Sequence, residues 1–286
     1  DGPFVLGGAG ERLESQMEEF VATGFSGCVF VYRDGLVVLH RAYGPSDRHR
    51  GLPNEVGTLF PVGSMETEFL LAAILKLESD GRLAIDDAVL AAIDEVRRGR
   101  AGAGGALRLA EIIERASGQP CERYIRENLF KRAGMARTIS GDPGAPDILL
   151  ANGHTGSRGA FRLFEKAPWL FPILRPSLRG AAAKLLPTSP GTGPGTGVLG
   201  IRSTVGDLFR WRLALQGGDF LGAESSPRFR EWVGDGEHDG GASLQVGAMP
   251  AGYQLAILSD PGRHLIVVVA ANSDLGWSMP VLLAIE

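Results

Sequence analysis

Apolar and polar positions alternate along this chain with changing period, and the period separates its elements. Between positions 10 and 22, Leu13, Met17, Phe20 and Val21 recur at helical spacing, predicting an amphipathic first helix that ends at Gly24. Two β-rich runs, 27 to 32 (GCVFVY) and 36 to 39 (LVVL), flank Arg33-Asp34-Gly35, and Asp-Gly between such runs predicts a hairpin. The polar stretch 44 to 57 (GPSDRHRGLPNEVG) predicts a loop. Then Phe69, Leu70, Leu71, Ala72, Ala73, Ile74, Leu75 and Leu77 form an apolar run too long for a strand and free of Pro and Gly until Gly81. That run predicts a helix buried on most faces, with Ser64 at its N-cap or first turn and Gly81 closing it.

Further on, the pattern predicts a short helix to Val96, helices over 106 to 117 and 121 to 130, and a helix capped by Ser203 or Thr204 that buries Leu208, Trp211 and Leu215. A second hairpin is expected from Tyr253–Leu258 and Leu265–Ala270 around Asp260-Pro261-Gly262-Arg263, with a short helix from Ser278. The run 97 to 105 (RRGRAGAGG) is expected to be flexible, and the tract 187 to 197 (PTSPGTGPGTG) a surface loop or lid. Between 140 and 197 one apolar patch stands out, at 169 to 174 (WLFPIL).

Composition narrows the function classes. A chain of 286 residues can hold one large domain or two intimate ones with ample core. A formal net charge of −4, without basic runs, argues against nucleic acid as the partner. No apolar run reaches the roughly 18 to 20 residues of a membrane span, and no signal peptide is expected in the chain from Asp1 onward. Cys28 and Cys121 read as buried free thiols without metal-ligand spacing, and neither a metal nor another cofactor is expected. His40 and His49 read as strand and loop filler.

The chemistry centres on Ser64. A serine at the mouth of a buried helix either caps backbone N–H groups or acts as a nucleophile beside donors that stabilise an oxyanion. Around it, Thr58-Leu59-Phe60, Gly63-Ser64, Asp80-Gly81-Arg82-Leu83, Asp86-Asp87, Gly134-Met135-Ala136-Arg137-Thr138 and 200 to 208 (GIRSTVGDL) resemble the β-lactamase-related serine hydrolases. This is the superfamily of penicillin-binding DD-peptidases, class C β-lactamases and related esterases. The likeness runs over roughly residues 10 to 96 and 106 to 280. It implies an α+β fold (an α/β sandwich): an antiparallel sheet from residues 1–60 and 198–286 flanked by helices, a mostly helical subdomain over 61–197, and a cleft between them. It also implies an extracytoplasmic location.

In that family the helix opens with Ser-x-x-Lys, the lysine sharing in the serine's proton transfers. Here the frame reads Ser64-Met65-Glu66-Thr67, with threonine at the lysine position. The family's Tyr-x-Asn motif falls on Ala101-Gly102-Ala103, and its Lys-Thr-Gly or His-x-Gly strand on Val246-Gly247-Ala248-Met249, ahead of Gly252-Tyr253. His238-Asp239-Gly240-Gly241 looks like that last motif several residues early. The resemblance would place Thr67, Ala248, Met249, Gly252 and Tyr253 along a substrate cleft.

Three functions compete. Loss of all three helper motifs favours an inactive or weakly active member whose cleft binds a small molecule, peptide or cell-wall-like ligand. An active esterase or amide or β-lactam hydrolase would need an unusual base for Ser64: Glu68, four residues on and able to share the serine's helix face, or His238. Glu68 also suits a helix start by its charge alone, and Glu66 cannot share the Ser64 face. A structural or assembly module would use the 169 to 174 patch as an interface.

Overall fold

The computed structural model describes residues 2–22, 24–97, 104–140, 150–155, 186–187, 198–217, 220–233, 243–246 and 252–273. In chain order its elements are β1 (Phe4–Val5), α1 (Gly7–Ala22), β2 (Gly27–Arg33), β3 (Leu36–Tyr43), β4 (Pro45–Asp47), β5 (Leu52–Pro53), β6 (Phe60–Pro61), α2 (Glu66–Ser79), α3 (Asp87–Arg97), α4 (Gly104–Ser117) and α5 (Cys121–Ile125). They continue with β7 (His154–Thr155), β8 (Leu186–Pro187), β9 (Arg202–Ser203), α6 (Val205–Gln216), α7 (Ser225–Val233), β10 (Ser243–Val246), β11 (Gln254–Asp260) and β12 (Leu265–Ala271). The class is α+β.

Period-two alternation builds the sheet. Along β2, Val29 and Val31 enter one core while Cys28 and Phe30 enter the other, and along β12, Val267 and Val269 part in the same way from Ile266, Val268 and Ala270. Pairing Val31 with Val267 and Val29 with Val269 puts like with like, so both central strands are buried on both faces. Antiparallel partners extend the sheet to six strands in the order β1-β3-β2-β12-β11-β10. The β2–β3 turn carries positive φ at Asp34 (51°) and Gly35 (84°), the type I′ geometry that Asp-Gly favours.

Met17 and Phe20 of α1 cover the Val29/Val31 face. On the other face lies α6, whose Phe209 stacks on Phe30 with ring centroids 4.5 Å apart. Trp211 of the same helix meets Phe69 of α2 at 4.9 Å, so α6 joins the sheet to the buried helix. From Phe69 to Leu75 every residue of α2 is buried. Gly81 ends it as expected, with Gly81 N–H donating to Glu78 O and Arg82 N–H to Leu77 O.

Three details differ from the sequence reading. The 44 to 57 segment contains the β4–β5 ribbon, because the Asp47 carboxylate holds its turn by accepting from the His49 and Arg50 N–H groups at 2.8 and 3.0 Å. The 121 to 130 helix changes pitch, running as α5 and then as a π turn over Arg126–Phe130. Leu215 is only half-buried. The 98–103 run, the 169–174 patch, the 188–197 tract and the expected helix from Ser278 lie outside the described residues.

Candidate functional site

Ser64 sits where a short β ribbon hands over to α2. Strand β6 pairs with β9, Phe60 opposite Ser203 and Pro61 opposite Arg202, and Val62 N–H adds a bond to Ile201 O at 3.1 Å. Gly63 then turns the chain through φ +56°, and Gly63–Met65 form one 3₁₀ turn ahead of the α-helix. Ser64 is exposed on this turn while Gly63, Met65 and Glu66 are buried. Of the two placements the sequence allows, the first turn is the one found: Ser64 lies within the 3₁₀ turn, Val62 holds its N-cap position, and neither Val62 nor Met65 makes a side-chain cap bond. The Met65 N–H is taken by Val62 O, so that donor is not open to an oxyanion on Ser64.

The acids of the first turn of α2 are both buried and both committed. The Glu68 carboxylate accepts from Arg212 at 2.6 Å and from Trp211 Nε1 at 3.0 Å, bridging α2 to α6. At 4 % exposure for Glu68 and for Arg212 this is a buried ion pair, and both carboxylate oxygens are used in it. The role expected for Glu68 as base for Ser64 gives way to this one. Glu66 accepts from Leu199 N at 2.8 Å and from Ile201 N at 2.6 Å. Its side chain thus prolongs the β6–β9 ladder past the point where the backbone has become helix. Burial pushes its carboxyl up to about 7, against the lowering effect of the backbone N–H groups of Leu199, Ile201 and Val198.

Thr67 is half-buried on the same turn. Gly252 accepts from His154 N at 3.3 Å, and the Tyr253 hydroxyl donates to Ala151 O at 2.8 Å from a buried position. This ties the start of β11 to the 150–155 segment. Ala248, Met249 and His238 lie outside the described residues, as does 101–103. A cavity of about 1410 Å³ opens where the β2–β3 and β11–β12 hairpins turn, between Tyr32, Arg212, Phe229 and His264, and its lining does not include Ser64. Among the described residues no cluster of His, Cys, Asp or Glu is placed to hold a metal.

Sequence reading missed Arg212 and His154. Arg212 had a legible signal: it stands four residues after Leu208 and one after Trp211, a cation in the apolar stripe of its helix. A charge there needs a buried counter-charge, and Glu68 stands in the apolar run of α2. His154 is fully buried with no partner on either ring nitrogen among the described residues, and burial pushes its pKa down to about 4. Nothing in its local sequence marks it.

The Beta-lactamase family profile matches residues 13–107 and 102–281. A protein of Bacillus subtilis named as a penicillin-binding protein, PbpX, is 23% identical over 321 residues, covering 93% of this chain and 75% of its own. That alignment is longer than the whole 286-residue chain, so the relative has stretches this chain lacks. The crystal structure of FmtA from Staphylococcus aureus superposes with a TM-score of 0.72 at 14% identity, covering 100% of this chain and 91% of its own. A penicillin binding protein from Bacillus halodurans gives 0.70 at 19% identity, covering 96% and 98%. The two structures share the fold.

Proposed function

The chain belongs to the β-lactamase family of serine hydrolases, and from that membership we propose that its cleft, between the sheet unit (1–60 and 198–286) and the helical unit (61–197), binds a ligand without efficient acyl transfer. The observation that carries this reading is the first turn of α2. Threonine stands at position 67, and Glu66 and Glu68 are spent on Leu199/Ile201 and on Arg212/Trp211. A serine hydroxyl at neutral pH needs a base within hydrogen-bond reach, and such assistance contributes on the order of 10² to 10⁴ in rate. Groups that act as a unit fail together, so a serine without its helpers keeps little beyond positioning. The two profile matches overlap at 102–107, next to Ala101-Gly102-Ala103, where the family's Tyr-x-Asn motif would fall.

The ligand class that fits the family is a small molecule, a peptide or a cell-wall-like fragment, met outside the cytoplasm. No described helix is long and apolar enough to cross a membrane. A second reading, a serine hydrolase with an unusual base, draws on the exposure of Ser64 beside a left-handed glycine; its remaining candidate base is His238. Intact mass after exposure to a fluorophosphonate and to a chromogenic β-lactam, with Ser64→Ala as control, separates the two. We expect no adduct on a well-folded protein. A single adduct that disappears in Ser64→Ala would establish an activated nucleophile and overturn the binding reading.

A further inference from the structure

We propose that a second cavity, walled by Phe4, Phe30, Phe209, His40, Arg137 and Arg210, is a binding site for a neutral phenol. It measures about 420 Å³, within the usual range for small-molecule sites. Ser64 does not line it. Three features of the cavity select its ligand: aromatic walls, one hydrogen-bond acceptor left without a donor, and two guanidinium groups that need no charge from a ligand.

The walls follow from the strand registers. Phe4 of β1 and Phe30 of β2 both stand opposite His40 of β3, one from each side, so the three side chains share a face of the sheet. The Phe30 ring lies against the imidazole with centroids 4.8 Å apart, and Phe209 of α6 stacks on Phe30 at 4.5 Å. Val37 and Val56 complete the apolar lining, and Phe4, 45 % exposed, forms the outer wall.

His40 brings the one unmet polar atom into this lining. It is only 7 % exposed, and its Nε2 has no hydrogen-bond partner among the described residues. The ring does bond the Gly2 backbone, and Gly2 offers a carbonyl, so the imidazole N–H is used there and Nε2 presents a lone pair. Burial above all pushes the pKa of His40 down to about 4, which keeps that lone pair at neutral pH. A Cβ on Gly206 would lie 3.8 Å from Nε2, so the lone pair borders the space that the missing side chain leaves. The site therefore asks for a ligand that donates one hydrogen bond.

The arginines decide what carries that donor. Arg210 is paired with the buried Asp207 at 2.8 Å, and Arg137 is exposed to water, so neither depends on a ligand for its counter-charge. An ammonium donor would be repelled by two guanidinium groups, and an ionised carboxylate would turn lone pairs towards a lone pair. A phenol, with a pKa of about 10, keeps its proton at neutral pH and can give it to Nε2. Its ring matches the aromatic walls, and its π face is a favourable neighbour for a guanidinium.

The test is a ligand-observed NMR titration of the folded chain with phenol and with toluene, which has the shape of phenol and no donor. We expect saturable phenol binding that Gly206→Ala weakens and Gly206→Val abolishes. His40→Phe, which keeps a ring packed on Phe30, should weaken phenol by about tenfold, the worth of one good hydrogen bond, without weakening toluene. Alanine in place of Gly206 meets only ordinary contacts and favours the helix, so loss of folding would not mimic loss of binding. Absence of saturable phenol binding up to ~20 mM in the wild-type chain, undiminished phenol affinity in Gly206→Val or in His40→Phe, or an equal loss for both ligands in His40→Phe overturns the proposal.

Discussion

Two helices of this protein begin beside the same ribbon, α2 after β6 and α6 after β9, and they begin in opposite ways. At α6 the polar side chains of the entrance bond the helix start and one another. Thr204 Oγ1 accepts from Asp207 N at 3.1 Å. The Asp207 carboxylate accepts from Arg137 N at 2.8 Å, from the Thr138 hydroxyl at 2.9 Å and from Arg210 at 2.8 Å, while Thr138 and Ser203 share a bond of 2.8 Å. At α2 the N-cap residue Met65 makes no side-chain cap bond, the nearby serine is exposed, and the two acids leave the entrance to hold α6 and the 199–201 segment. A helix start that forgoes its cap gives up about 1 kcal/mol. The contrast leaves Ser64 exposed within a first turn whose N-cap residue makes no side-chain cap bond, whereas Thr204 caps α6.

The largest way to break this comparison is to cut the α2–α6 bridge. Glu68→Ala leaves Arg212 charged, buried and unpaired, and should cost about 3–5 kcal/mol in chemical denaturation. Glu68→Gln with Arg212→Met, which removes both charges, should recover most of that loss. A cost below 1 kcal/mol for Glu68→Ala would show that the carboxylate is not held as described.

Glu66 gives a pH-dependent test of the next size. Its native pKa of about 7 lies above its ordinary 4.5, so between those values the folded state keeps a proton that the unfolded state has released. Stability from this group is present below pH 4.5 and lost as pH rises through 7, by about 1–3 kcal/mol. His40 and His154, both pushed down to about 4 from 6.5, act in the other direction: the unfolded chain gains protons that the folded one refuses, and stability falls as pH drops below 6.5. Melting temperature should therefore peak near pH 6.5, where the imidazole effect ends while that of Glu66 continues to about 7, and Glu66→Gln should remove the fall above the peak and steepen the rise below it. An unchanged alkaline slope in that variant would contradict the assignment.

Smaller still are the entrances themselves. Thr204→Ala should destabilise the protein by about 1–2 kcal/mol through the lost cap. Ser64→Ala should move stability by no more than about 0.5 kcal/mol in either direction. If the two variants cost the same, the difference between the entrances is not energetic and the comparison fails.

What the sequence made legible was whatever is encoded within a few residues. Asp34-Gly35 specified its hairpin, the Ser203-Thr204 pair a cap that Thr204 fills, Gly81 its helix end, and the alternation in β2 and β12 the two faces of the sheet. The site was less legible because its decisive contacts span great separations. Arg212 reaches Glu68 across 144 positions and Ile201 reaches Glu66 across 135. No local propensity records which of two acids two residues apart turns to the neighbouring helix and which to the neighbouring strand. Ser64 was readable as either a cap or a nucleophile, and only the 3₁₀ turn shows that Val62 takes the N-cap position.

The two sulfhydryls have a consequence of their own. Cys28 donates to Glu55 O at 3.2 Å inside the sheet, and Cys121 lies at the start of α5; both are buried, and burial raises both, Cys121 to about 12 and Cys28 further. Neither presents a thiolate to an electrophile or an oxidant while the chain is folded. The protein can pass from reducing to oxidising surroundings with its covalent structure unchanged, and an alkylating reagent that marks either cysteine reports unfolding.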